Sequence, residues 1–284
     1  MDHPTAVNQE QIEYWNSGAG DTWVAQQERL DRELDPLGRA ALDALAPRAG
    51  EHVLDVGCGS GQTTFQLGDA VGPTGRVVGL DVSAQMLAAA LRRKRGAQVS
   101  FLRADAQTHV FDRPFHAIYS RFGTMFFADP VAAFANLLRA LRPGGRMAFV
   151  CWRAEAENPV MTVPIAAAAK RLPPLPRPTP DPCAPGPFAF ADGARLGRIL
   201  EAAGFVDIRL TPHDEHIGGN DRFGTLELAL QVGPLGRILR EHPEHRAAVV
   251  DAVRDALEPF IVDGIARIPS ATWIVTAWRE RRIR

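Results

Sequence analysis

A chain of 284 residues, 46% of them apolar, can close one substantial core and still carry a smaller cap. Its 32 Lys and Arg balance 33 Asp and Glu, so no net field favours nucleic acid, an anionic membrane or a polyanionic substrate, and the expected partner is a small molecule. Met1–Asn16 is polar, with Asp2, Glu10 and Glu13, which argues against a secretory leader; the apolar runs, such as Met147–Trp152, are strand-sized; and Cys58, Cys151 and Cys183 have neither disulfide nor metal-ligand spacing, so no metal is expected and a reducing cytoplasm fits.

From His52 onward, short β-branched runs alternate with longer amphipathic stretches, the pattern of a parallel α/β sheet with crossover helices. The spacing predicts strands at His52–Val56, Arg76–Leu80, Val99–Arg103, Phe115–Ser120 and Arg146–Cys151. Ser83 caps a predicted helix carrying Met86, Leu87, Ala90 and Leu91; Asp129-Pro130 starts another carrying Phe134, Leu137, Leu138 and Leu141, which Pro143-Gly144-Gly145 stops. Leu172–Pro187 is too rich in proline for regular structure and reads as a substrate lid or a surface linker. A helix follows Asp192 with Leu196, Ile199, Leu200 and Ala203 on one face, and Val206–Leu210 reads as a strand. Two helical stretches come next, Thr225–Arg240 with a break at Gly233-Pro234 and Glu244–Phe260, either of which could furnish a homodimer surface; Thr272–Trp278 is the last predicted strand.

The most informative segment runs from Val53 to Gly61, where a buried strand ends in Asp55-Val56-Gly57-Cys58-Gly59-Ser60-Gly61 and opens into a helix. Alternate glycines allow positive φ and close backbone approach, and in a parallel sheet this turn sits where a nucleotide-like ligand binds. The spacing differs from the dinucleotide fingerprint, and Asp55 would repel a pyrophosphate while suiting a positively charged amino-acid end. Asp81 ends the second strand where an acid grips ribose hydroxyls, or it only helps Ser83 start its helix; Asp105 ends the third, where it could accept the exocyclic amino proton of adenine or cap a local turn.

These segments, with Gly79-Leu80-Asp81-Val82-Ser83, Ala104-Asp105-Ala106 and Leu141-Arg142-Pro143-Gly144-Gly145, resemble the ordered motifs of class I S-adenosylmethionine (SAM) dependent methyltransferases, similar in type to the ubiquinone/menaquinone biosynthesis C-methyltransferases and related small-molecule enzymes. The resemblance implies a Rossmann-like sheet of seven strands, the last antiparallel, helices on both faces, and SAM over the carboxyl ends. It implies an N-terminal helical cap over residues 1–45, a SAM-binding core over 46–152, a proline-rich lid or linker over 153–191 and a C-terminal part over 192–284 that completes the sheet. The implied cofactor contacts are Asp55, Gly57, Cys58, Gly59, Gly61, Gln62, Thr63, Asp81, Val82, Met86, Asp105, Ala106, Ser120 and Arg121, with Tyr14 and Trp23 from the cap. Trp15, Phe122, Met125, Phe126 and Trp152 are candidates for an apolar acceptor pocket, or are ordinary core.

Three residues are weighed as catalytic. Arg121 departs from what the quinone enzymes would carry there; it could bind an anionic acceptor or form a structural ion pair. His213 and His216, in the densest ionisable cluster, could deprotonate an acceptor, although strand alternation puts them on opposite faces and speaks against a shared metal. Cys58 reads as a small packing residue rather than a nucleophile. The basic runs Arg92–Arg95 and Arg279–Arg284 are explained by a helix C-terminus and a solvated tail. An NAD-dependent oxidoreductase or epimerase on the same architecture, and a non-catalytic SAM-binding protein, are the competing readings.

Overall fold

The computed structural model describes residues 8–172 and 184–281. In chain order the elements are α1 (Gln9–Trp15), α2 (Gly18–Ala25), α3 (Gln27–Leu45), β1 (His52–Val56), α4 (Gln62–Val71), β2 (Arg76–Asp81), α5 (Ala84–Arg93), β3 (Val99–Arg103), β4 (Phe115–Arg121), α6 (Pro130–Ala140), β5 (Leu141–Trp152), α7 (Pro159–Ala169), α8 (Gly193–Ala202), β6 (Val206–Asp221), α9 (Arg222–Gln231), α10 (Gly233–Glu241), α11 (Arg246–Leu257), β7 (Ile261–Val262) and β8 (Ile265–Trp278). The sheet order is β3-β2-β1-β4-β5-β8-β6, with the two-residue β7 paired to β8. β8 is antiparallel to β5 on one side and to β6 on the other, so it alone reverses direction among the long strands. The expected Rossmann-like α/β sheet is present, and none of the described helices is long and apolar enough to cross a membrane.

Helices cover both faces of the sheet. Tyr119 donates its hydroxyl to the Gly38 carbonyl of α3 at 2.7 Å, whereas Phe149 stacks on Phe134 of α6. Tyr119 pairs with Ala148, so Tyr119 and Phe149 point to opposite faces, α3 covering one and α6 the other. β1 is buried on both faces, with Val53, Leu54 and Val56 in the core. The helix starts follow their caps: the Ser83, Asp129, Asp192 and Asp221 side chains each accept a backbone N–H of the first turn that would otherwise lack a partner.

Several elements depart from the expectation. α6 ends at Ala140 and Leu141 already belongs to β5, because Gly144 takes a positive φ and donates its N–H to the carbonyl of Arg279, just past β8, whose own N–H reaches the Gly145 carbonyl, which holds the Pro-Gly-Gly segment in the sheet. β6 runs on to Asp221, far past Leu210; as an outer strand it satisfies only one side of its backbone, tolerates Pro212 and needs no apolar run. β8 likewise starts at Ile265, so the upper halves of β6 and β8 rise beyond the carboxyl ends of the other strands. Gly233-Pro234 opens α10 instead of interrupting one long helix. α7, packed on α11, occupies part of the segment expected to be lid or linker. Of the proline-rich stretch, 173–183 lies outside the described residues, and its far end is pinned where the Gly186 N–H meets the Met125 carbonyl at 3.0 Å.

Candidate active site

The turn after β1 is held by its neighbours. The N–H groups of Gly57 and Cys58 both reach the Leu80 carbonyl, at 2.8 and 3.0 Å, and the Gly59 N–H reaches Asp81 Oδ2 at 2.8 Å. Gly57, Gly59 and Gly61 all have positive φ. A Cβ on Gly57 would lie 2.7 Å from the Gly123 Cα, so the turn and the segment after β4 meet backbone to backbone. Gly123 was not singled out from the sequence; the only local signal is a glycine two residues past a strand end.

Asp55 is fully buried. Its Oδ2 accepts the hydroxyls of Thr63 and Thr64, both at 2.7 Å, and its Oδ1 has no partner among the described residues. Burial pushes the carboxyl up to about 6, against the two threonine hydroxyls and the positive field of Arg121. Asp81 gives Oδ1 to the Ser83 N–H at 2.9 Å and Oδ2 to Gly59, so it performs the helix-starting role and still has a free lone pair on each oxygen. Burial raises its carboxyl too, opposed by the N–H groups of Ser83, Gly59 and Val82. Met86 lies below the turn, with its sulfur 3.7 Å from a Cβ built on Gly59. Asp105, at the end of β3, accepts the Gln107 N–H at 2.9 Å and faces the Asn8 amide at 3.4 Å; Ala106 is buried beside it. Burial holds the Cys58 thiol well above its ordinary range, which leaves it a packing residue.

The end of β4 divides its roles. Ser120 donates to the Val56 carbonyl at 2.7 Å and its oxygen accepts the Gly123 N–H, tying β4 to the turn. Arg121 is turned toward α3 and α4, where it donates to the side-chain amide oxygen Oε1 of Gln62 and lies 3.5 Å from Asp31. Its charge is therefore engaged in an ion pair whose other half lies far upstream in the chain. Phe122 adopts φ 59°, an uncommon conformation for a bulky residue, and its ring stacks on Trp152 at 4.3 Å. Met125 is buried in the same core.

α1 and α2 lie across this rim. Asn16 donates to the Val82 carbonyl and accepts the Ala84 N–H, each at 3.0 Å. Trp15 meets Phe126, Tyr14 and Trp23 edge to face, at centroid distances of 5.0, 5.1 and 5.7 Å. The Tyr14 hydroxyl accepts from Arg240 at 3.2 Å and Gln26 donates to Gln231 at 2.9 Å, so the N-terminal helices also touch α9 and α10.

His213 and His216 stand on β6, separated from β4 by β5 and β8, and are not brought to the glycine turn. They do differ in facing. Trp152 pairs with Thr272 and Thr272 with His213, so these three share the face toward α3, with His213 two strand spacings, roughly 10 Å, from Trp152. His213 is half-buried with no partner for Nε2 among the described residues, while His216 is exposed.

A family model described as a methyltransferase domain matches residues 53–145. The chain is 31% identical over 238 residues to the O-methyltransferase cnsE of Penicillium expansum, covering 81% of this chain and 77% of that protein. It is 36% identical over 118 residues to the aklanonic acid methyltransferase DauC of a Streptomyces species, covering 40% of this chain and 54% of that one, so it spans only about half of that relative. Among solved structures, the partner of the Trm112 methyltransferase activator from Haloferax volcanii shares the fold, with TM-score 0.55 at 20% identity over 95% of this chain and 99% of that one. On its sheet, its glycine turn and these relatives, the chain belongs to the class I SAM-dependent methyltransferases.

Proposed function

We propose that the protein transfers the methyl group of SAM to a small-molecule acceptor held between the aromatic cluster of the N-terminal helices and the Phe122–Trp152 stack. The observation that carries this reading is Asp55, a buried carboxylate with one oxygen satisfied by two threonines and the other with no partner among the described residues, beside a turn whose three glycines all take positive φ. A buried polar atom of this kind calls for a partner, and the SAM ammonium is one of matching charge. SAM, when bound, supplies an electrophilic methyl on its sulfonium.

The remaining work falls to the chain. Gly57, Cys58, Gly59 and Gly61 let the ligand approach the backbone, with Thr63 and Gln62 fixing the start of α4. Asp81 offers its spare lone pairs to the ribose hydroxyls, with Val82 and Met86 flanking the adenosine; Asp105 and Ala106 take the adenine edge. Ser120 and Arg121 position the end of β4, the arginine through Asp31 and Gln62 rather than by reaching an acceptor. Tyr14 and Trp23 brace the cap, while Trp15, Phe126, Met125, Phe122 and Trp152 wall the acceptor side and exclude water. Transfer to a positioned nucleophile gains most of its rate from alignment. Where the acceptor must lose a proton, His213 is the histidine on the Trp152 face. The names of the two relatives, one with aklanonic acid and one with an oxygen acceptor, support a small-molecule substrate.

Calorimetric titration with SAM, S-adenosylhomocysteine and NAD, followed by a screen of phenolic and carboxylic acceptors for S-adenosylhomocysteine release, tests this. SAM binding with turnover on at least one acceptor is expected; NAD binding without SAM binding would overturn it.

A further inference from the structure

Away from the cofactor rim, the turn joining α10 to α11 gathers nitrogen and oxygen donors. His242 closes α10, Pro243–His245 makes a single 3-10 turn, and α11 starts at Arg246. Glu244 Oε1 lies 3.6 Å from His242 Nδ1 and 3.7 Å from His245 Nε2, and one ligand atom from each residue falls within 4.8 Å of the others. A tetrahedral ion with bonds of about 2.0–2.1 Å keeps neighbouring donors roughly 3.4 Å apart. Two of the three spacings are thus already close to those of a metal site, and the third closes by rotation of half-exposed imidazoles.

The backbone supports this arrangement. The His242 N–H bonds the Ile238 carbonyl at 2.8 Å, the His245 N–H bonds the His242 carbonyl at 3.2 Å, and Pro243 fixes its own φ between them. Little backbone freedom is left to lose when three donors close on one ion. Glu244 is exposed, which leaves an open side for water. Two imidazoles and a carboxylate suit zinc and its first-row neighbours rather than magnesium or calcium, which favour all-oxygen sets.

We propose that His242, Glu244 and His245 bind one divalent transition-metal ion of the zinc class, with water completing the coordination. The ion would clamp α10 to α11 at a point flanked by two arginines. Arg240 holds Tyr14 of α1 and the Gln231 carbonyl, and Arg246 holds Glu227 of α9. The clamp therefore stiffens the lobe on which the N-terminal helices rest.

The test uses the untagged full-length protein, stripped of metal, titrated with Zn²⁺ by calorimetry and with Co²⁺ by visible absorption. One site is expected, with a cobalt spectrum lacking the thiolate charge-transfer band that binding at Cys58, Cys151 or Cys183 would give. His242→Ala, Glu244→Gln and His245→Ala should each weaken Zn²⁺ binding at least tenfold without changing the far-ultraviolet circular dichroism. Zn²⁺ should raise the Tm of the wild type and leave that of the His242→Ala/His245→Ala variant unmoved. The proposal is overturned if that double variant binds Zn²⁺ as tightly as the wild type, or if the wild type shows no binding at millimolar Zn²⁺, in which case the cluster is an imidazole–carboxylate ion pair only.

Discussion

Gly59 donates its backbone N–H to Asp81 Oδ2 at 2.8 Å, which fastens the glycine turn after β1 to the acid that ends β2. The other oxygen of Asp81 holds Ser83 at the start of α5, so one carboxylate joins two loops on the cofactor rim. Loss of that side chain would disturb both loops as well as the proposed ribose contact.

Asp81→Ala leaves two backbone N–H groups without acceptors in a buried setting, at about 1–3 kcal/mol each where water does not replace them. We expect lower stability in urea unfolding together with SAM binding weakened at least tenfold by calorimetry. Asp81→Asn keeps one carbonyl acceptor and should fall between the two. A folded Asp81→Ala protein that binds SAM like the wild type would remove Asp81 from the ribose site.

Pairing of Asp55 with the SAM ammonium, as proposed, would make SAM binding depend on pH. The Asp55 carboxyl titrates at about 6 because burial disfavours the charged form, and only the anion can pair with an ammonium. Affinity should be greatest above pH 6 and fall about tenfold for each pH unit below it, since protonation then competes with the ligand. Asp55→Asn should flatten this profile and, at pH 7.5, weaken binding by about 1.5–3 kcal/mol, the range for a hydrogen bond to a charged group. Calorimetry between pH 5 and 8 on both proteins decides; parallel profiles would rule out an Asp55–ammonium pair.

Legibility in the sequence followed burial. β1, β2, β4 and β5 were readable because strands covered on both faces show as apolar runs, and the ends of β1, β2 and β3 stood out as a glycine turn or an acid. The upper half of β6 was not, since a strand paired only with β8 can be built from Thr211-Pro212-His213-Asp214-Glu215 without any apolar alternation. The partner of Arg121 was also beyond reach, because Asp31 comes next to it only once α3 has docked. The close approach of Gly57 and Gly123 is of the same kind. Residue types named the cofactor chemistry, whereas tertiary placement decided which histidine faces Trp152.

The cap makes a separate prediction. Trp15 has edge contacts with Tyr14, Trp23 and Phe126, each worth about 0.5–1.5 kcal/mol beyond area burial. Asn16 still tethers α1 to Val82 and Ala84 when the ring is removed. Trp15→Ala should therefore keep the sheet intact while the amides of α1 and α2 exchange hydrogen faster, and S-adenosylhomocysteine should slow that exchange in the wild type. Equal exchange rates in both proteins would count against Trp15 as the residue that holds the cap down.

Glu33 is the least expected group in the core. It sits on the buried face of α3 between Leu30 and Leu37, 7% exposed, with no hydrogen bond or ion pair among the described residues. Its basic neighbours are engaged elsewhere, Arg29 with Gln26 and Arg32 with Asn220. Burial raises the carboxyl from 4.5 to about 7. In the unfolded chain the proton leaves near 4.5, whereas the folded protein keeps it until about 7, so between these values the folded state binds more protons and stability falls as pH rises. Above 7 the loss is complete, and at 1.36 kcal/mol per pH unit the gap corresponds to about 3 kcal/mol. Glu33→Gln removes the charge with little change of shape. Urea unfolding should give the variant its largest advantage over the wild type at pH 8, with the difference shrinking toward pH 4.5. The two-protein comparison cancels the other titrating groups, including Asp55. If the stability difference between them stays constant from pH 4.5 to 8, burial does not raise the Glu33 carboxyl in the folded protein.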